Sequence, residues 1–119
     1  MADLSRSDVI KILAVAENAR LAGVDLSGLD LHGLNFSGAD LIRADLAGAN
    51  LSGAYMRGAR LESANLEGAI ITDANLKEAN LKAANLRDAD LTNTIMTDAN
   101  LFEAILEGAR LDRTIGLNR

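Results

Sequence analysis

The chain has 119 residues and a formal net charge of −5, a length that suits one domain and a balance that argues against a nucleic-acid backbone as a direct ligand. It has no cysteine, which excludes a disulfide framework, a thiolate nucleophile and a cysteine-ligated metal, and no proline, which suits a backbone whose amide donors are nearly all needed in a ladder. Its only aromatic residues are Phe36, Tyr55 and Phe102, so the core must be thin and filled by smaller side chains.

The N-terminal segment is tested first as a leader and then as a helix. Residues 12–16, ILAVA, end in a small-x-small pattern of the kind a signal peptidase accepts. Asp3, Arg6, Asp8 and Lys11 cancel, however, so no basic region precedes it, and the apolar run falls short of the roughly 7–15 residues such a segment needs. No stretch approaches the ~20 apolar residues of a membrane span. Both readings point to the cytoplasm. Ser5 followed by Asp8 offers a capping box, and the helix it starts, within residues 5–18, carries an apolar face that includes Ile10, Leu13 and Ala14. It is predicted to plug one end of whatever follows; a free amphipathic arm is the alternative.

From residue 24 to residue 113 the chain reads in fives without a break: VDLSG, LDLHG, LNFSG, ADLIR, ADLAG and so on to ARLDR, eighteen repeats in all. Residues 19–23, ARLAG, stand in the same frame. The third place is always Leu, Ile, Met or Phe. The first is Ala except at Val24, Leu29, Leu34 and Thr94. The second is mostly Asn or Asp, and the last two are polar with Gly frequent. A helix advances about 100° per residue, so a period of five would scatter the leucines around its circumference. A long strand alternates with period two and would send successive leucines to opposite faces. A short extended piece followed by a corner satisfies both constraints. The first and third side chains then share an inward face, and Gly at the fifth place tolerates the bend.

These A-[DN]-L-x-x repeats resemble the pentapeptide-repeat family, and they cover about three quarters of the chain. The resemblance implies an all-β fold, a right-handed quadrilateral parallel β-helix of four repeats per coil and about 4.5 coils. The expected plan is one domain over residues 1–119: a capping helix in 5–18, the β-helix in 19–113 and a tail in 114–119. The repeats alone leave three per coil open but lean to four. At a coil period of 20, Phe36, Met56 and Met96 share a column, as do Asn65 with Asn85 and Asn80 with Asn100, where stacked amides can form ladders. With four sides named A to D from Val24, the outward charges sum to −4 on A and −2 on B and cancel on C and D. In the tail, Ile115 and Leu117 are expected to fold over the last coil. A monomer is favoured, with end-to-end pairing as the alternative if they cover it poorly.

Little in the chain promises chemistry. His32 is the only histidine and sits at an outward place with no second His or Cys to share a metal or a proton relay, so it reads as a surface residue. The recurrent Asp and Asn follow the repeat and form no calcium loop. Lys77, Lys82 and Arg87 fall on three different sides. No Walker or G-x-G-x-x-G run occurs. No catalytic, cofactor or metal site is expected, and the chain reads as a non-enzymatic scaffold for protein–protein contact or regulation. The resemblance also implies an alternative, since some relatives mimic duplex DNA and bind gyrase, but those tend to carry a C-terminal dimerisation helix or interrupting loops that are not seen here. The resemblance further implies a regulatory role like that of some cyanobacterial relatives. A protein partner is expected on the C/D edge, where Tyr55, Arg57 and Ile95 on side C and Phe102 and Ile42 on side D project outward.

Overall fold

The computed structural model describes residues 4–117. One helix, α1, spans Arg6–Val15. The N–H of Asp8 donates to Ser5 Oγ at 3.1 Å and the Ser5 N–H donates to Asp8 Oδ2 at 2.9 Å, which is the capping box the sequence offers. The helix is shorter than 5–18 and its inward stripe differs from the expected one. Val9 is fully buried, and Leu4, Ile12 and Leu13 pack against the core beside it. Ile10 is 43% exposed and Ala14 lies outside. The i, i+3, i+4 spacing of 9, 12 and 13 fixes this face, and Ile10 is turned about 100° away from Val9.

Beyond the helix the chain winds as a four-sided coil. Parallel bridges join residues twenty apart at every second place of the repeat, from Arg20 with Asp40 to Ile95 with Ile115. Four repeats therefore make one coil. Residues 19–23 are a true repeat, with Ala19 and Leu21 buried. At the other end residues 114 and 115 continue the coil rather than leave it as a tail; residues 118 and 119 lie outside the described residues. Only one residue in five forms a bridge, and corners flank it on both sides, so no continuous strand forms among the described residues.

The backbone bonds explain why a period of five is stable. The N–H groups of the second, third and fifth places bond to neighbouring coils, as with Asn65 to Ala44 (3.0 Å), Leu66 to Asn85 (2.8 Å) and Gly68 to Arg87 (2.8 Å). The first-place N–H closes the preceding corner, as Ala69 does on Leu66 (3.0 Å). The corners carry positive φ at the fifth place, as a type II turn demands. Ten of these residues are not glycine, from Arg43 (φ 58) to Arg113 (φ 54), and none is β-branched. Gly116 is at positive φ (72) too, but at a third place, just after the last bridge, and there a side chain is also barred by space, since a Cβ would stand 2.7 Å from the Thr97 Cα.

The interior is a stack of Leu, Ile, Met and Phe layers separated by alanines, each closed to solvent through the middle coils. Thr94, the one buried polar residue among those described, replaces an alanine and donates its hydroxyl to the Ile71 carbonyl at 2.7 Å. That bond removes the cost of burying the hydroxyl.

Candidate interaction surface

One backbone donor per repeat remains, the N–H of the fourth place. It donates to the side-chain oxygen of the second-place Asp or Asn, as Ser27 does on Asp25 (3.0 Å), Lys77 on Asn75 (3.0 Å) and Phe102 on Asn100 (3.0 Å). This Asx bond is the main reason for Asp and Asn in the repeat. The amide ladder expected at Asn65 and Asn85 is also present, with Asn85 Nδ2 donating to Asn65 Oδ1 at 3.3 Å, whereas Asn80 Nδ2 turns to Glu62 Oε1 at 2.8 Å instead of toward Asn100.

Where the second place is neither Asp nor Asn, the repeat gives up that bond. This happens at Arg20, Tyr55, Arg60, Ile70, Ile95, Ile105, Arg110 and Ile115. Side C gives up most: its outward row runs Asn35, Tyr55, Asn75, Ile95, Ile115. Tyr55 is 57% exposed and Ile115 56%, with Ile95 half-buried beside it. The sequence expectation placed Tyr55 and Ile95 in one row two coils apart, and the structure agrees. It did not place Ile115 there. Ile115 was expected to fold over the end, but the ladder to Ile95 turns it outward; the signal that would have found it is its second-place position in the frame.

Arg57 is exposed beside Tyr55, but it is engaged. Its Nη2 lies 2.8 Å from Glu78 Oε1 and its Nε donates to the same oxygen at 2.9 Å, tying two coils together. Phe102, on side D, is 64% exposed at the foot of the column Ile42, Glu62, Lys82, Phe102, with the Lys82 ammonium 5.9 Å from its ring centroid. Tyr55, Arg57 and Ile95 thus share one side, and Phe102 lies on the next. The acidic sides are partly neutralised: Glu107 meets Arg87 at 3.4 Å, Asp90 meets Arg110 at 4.0 Å and Asp30 meets Arg6 at 3.7 Å.

His32 lies at the surface with its Nδ1–H donating to Asp30 Oδ1 at 2.7 Å. That bond, then the His32 backbone N–H, holds the Asp30 carboxyl below the usual aspartate range. Among the described residues no three His, Cys, Asp or Glu side chains converge as metal ligands, and no helix is long and apolar enough to cross a membrane. Sequence reasoning missed Arg6. Its guanidinium donates to the carbonyls of Asp30 (2.9 Å) and His32 (3.1 Å), the two acceptors that a preceding coil would have used. Nothing in the repeat pattern marks it, because it lies outside the repeat.

The model of the family "Pentapeptide repeats (8 copies)" matches in overlapping stretches, 14–46, 39–77, 59–98 and 79–115. The chain belongs to the pentapeptide-repeat family. Among solved structures it is similar to a pentapeptide repeat protein of the Arabidopsis thaliana thylakoid lumen, with 34% identity over 70% of this chain and 61% of that one and a TM-score of 0.50. It is also similar to the pentapeptide repeat protein Rfr23 of the cyanobacterium Cyanothece 51142, with 36% identity, 77% and 63% coverage and a TM-score of 0.45. A third is QnrB1, a plasmid-mediated fluoroquinolone resistance protein, with 26% identity, 77% and 58% coverage and a TM-score of 0.44. The chain thus spans less than two thirds of the length of each of these three. A comparison with curated proteins finds no significant match.

Proposed function

We propose that this pentapeptide-repeat protein is a non-enzymatic scaffold, acting in the cytoplasm, that binds a protein partner along side C and its edge with side D. Its coil is read as a right-handed quadrilateral β-helix, which makes that edge a rigid, straight surface. The observation that carries the reading is the side C row, where Tyr55, Ile95 and Ile115 occupy places at which Asp or Asn would have secured a backbone donor. A local stabilising bond is given up there for exposed apolar area, on a side without net charge. Such aromatic and apolar positions flanked by Arg suit the centre of a protein interface.

The test separates stability from binding. Tyr55→Asn and Ile95→Asn restore the Asx acceptor, so each is expected to leave melting unchanged or to stabilise by up to about 1 kcal/mol. The same changes, and Tyr55→Asp with Arg57→Glu, are expected to abolish capture of the partner from a native lysate. Asp25→Lys with Asp45→Lys on side A is expected to leave it intact. Loss of capture only in the side A variant, together with gyrase inhibition by the wild type, would replace this reading with the DNA-mimic one.

A further inference from the structure

Sides C and D carry no net charge from Val24 onward, but their charges are not spread evenly along the axis. Between residues 19 and 60 these two sides hold Arg20, Arg43, Arg57 and Arg60 against Asp40 alone. Beyond residue 60, Glu62, Glu78, Asp98 and Glu103 outnumber Lys77 and Lys82. The positive stretch also carries a groove. Asn18, Gly38 and Gly58 on one side and Arg20, Asp40 and Arg60 on the other line an open volume of about 400 Å³.

Gly38 and Gly58 stand at the fifth place of side C, where the chain turns onto side D. Positive φ does not demand glycine there, since Glu78 and Asp98 continue the same column at φ 62 and 61. What the two glycines contribute is the missing side chain. A Cβ at Gly58 would meet nothing within 4 Å, so the floor is open there. The Asn18 amide lies against Gly38 at one end, and Glu78, paired with Arg57 at 2.8 Å, stands at the other. The wall is a row of second places joined by parallel bridges, Arg20 with Asp40 and Asp40 with Arg60. Arg20 is exposed, and its side chain has no hydrogen bond or ion pair among the described residues. The Arg60 side chain is 58% exposed and comes only within 3.9 Å of Glu62 Oε1, an oxygen already taken by Asn80 Nδ2 at 2.8 Å. Asp40 Oδ1 accepts the Ile42 N–H at 3.2 Å, and the carboxylate forms an ion pair with neither arginine. Two guanidinium groups thus face one groove with their donor forks unfilled, and such forks match carboxylates.

We infer, on the reading that a protein partner uses the C/D edge, that this groove receives an extended acidic segment of that partner, with one carboxylate on Arg20 and one on Arg60. Two coils separate the arginines, about 9–10 Å at the strand spacing. A polyproline II segment rises about 3.1 Å per residue with three residues per turn, so acids at i and i+3 share a face about 9 Å apart. The two residues between them are not acidic, because Asp40 stands between the arginines and repels a third carboxylate. That rule and the net charge of −5 disfavour a nucleic-acid strand, which carries a charge every ~3.4 Å.

Nuclear magnetic resonance of the isotope-labelled full chain at ~50 mM salt, titrated with end-capped peptides, tests this. The peptide GEPPEG is expected to bind with a Kd of about 1 mM or tighter and to shift the Gly38 and Gly58 amides. GQPPQG, which lacks the charges, and GPEEPG, which has them side by side, should bind at least about threefold more weakly. Arg20→Gln and Arg60→Gln should each weaken GEPPEG at least about threefold. Gly58→Glu should do the same without loss of fold, since Glu78 holds the same place one coil on at φ 62. Asp40→Asn keeps an oxygen for the Ile42 N–H and should not weaken the peptide. Tyr55→Asn with Ile95→Asn should leave its binding unchanged. GEPPEG no tighter than either control, binding indifferent to both arginines, or tighter binding of a single-stranded DNA hexamer would each overturn the groove. Partner capture lost with Tyr55→Asn and Ile95→Asn but intact with Arg20→Gln and Arg60→Gln would also overturn it, and would leave the side C reading standing.

Discussion

The two ends of the coil meet the same problem and solve it differently. At the N-terminal end Leu26 and Leu31 are as fully buried as any leucine in the middle, because Val9, Ile12 and Leu13 of α1 cover them and Arg6 donates to two carbonyls of the first coil. At the C-terminal end Leu101, Leu106 and Leu111 occupy the same place in the repeat and are only partly buried. The same residue at the same place of the repeat thus has different burial according to what lies above it. In a solenoid each coil contacts only its neighbours, so a layer's stability is set by its two interfaces rather than by its own residues.

The sharpest way to break this comparison starts in the middle, where both interfaces are present. Leu66→Asp is expected to unfold the protein, since it buries a charge with no partner; circular dichroism would show loss of the cooperative transition. Removing residues 1–18 should turn the N-terminal end into a second open end. The truncated chain should lose stability and self-associate, by light scattering, through its exposed first coil. A truncated chain that stays monomeric and equally stable would show that α1 is not a plug.

Smaller substitutions sharpen the picture. Leu66→Ala is expected to cost about 2–5 kcal/mol in chemical denaturation. Leu106→Ala should cost roughly half of that or less, because part of its surface is already in water. Equal costs would mean that the last coil is covered in solution. The outward neighbour Glu67→Ala should change stability by under about 0.5 kcal/mol.

Acid acts mainly on the closed end. Asp8 is held below the usual aspartate range by the Ser5 backbone N–H, Asp25 by the Ser27 hydroxyl, Asp30 by the His32 ring and Asp90 by the Thr92 hydroxyl. A carboxyl depressed in the folded state contributes stability that is fully present above its unfolded pKa of about 3.9 and is lost as pH falls through the folded value. Three of the four belong to α1 or the first coil. Melting temperature should therefore hold between about pH 7 and 5 and fall below about pH 4, with hydrogen exchange rising first in α1 and the first coil.

What was legible in the sequence follows from how local each cause is. The inward Leu and Ala, the four-repeat coil, the capping box at Ser5 and Asp8 and the placement of Tyr55 over Ile95 all derive from a period visible in the chain. The face of α1 was misread because Ile10 and Ala14 are as apolar as Val9 and Ile12; only the position of the coil beneath decides which of them it meets. Ile115 was misread as a lid because its place in the frame was set aside once the repeat was taken to end at residue 113. The Asx bond was hidden behind the amide ladder, an equally good use of the same Asn. Arg6 was invisible because its partners are backbone carbonyls, which leave no trace in side-chain patterning.

The twenty-residue spacing of the bridges has a consequence for how the molecule is made. Every ladder contact closes over one coil, so no step in assembly waits for a distant part of the chain. Synthesis delivers α1 and the first coil before the coils that stack on them, and these form the closed end. Each twenty residues that follow meet a finished layer whose donors and acceptors already fix their register. The growing molecule is its own template, and each finished coil is the live edge on which the next is laid.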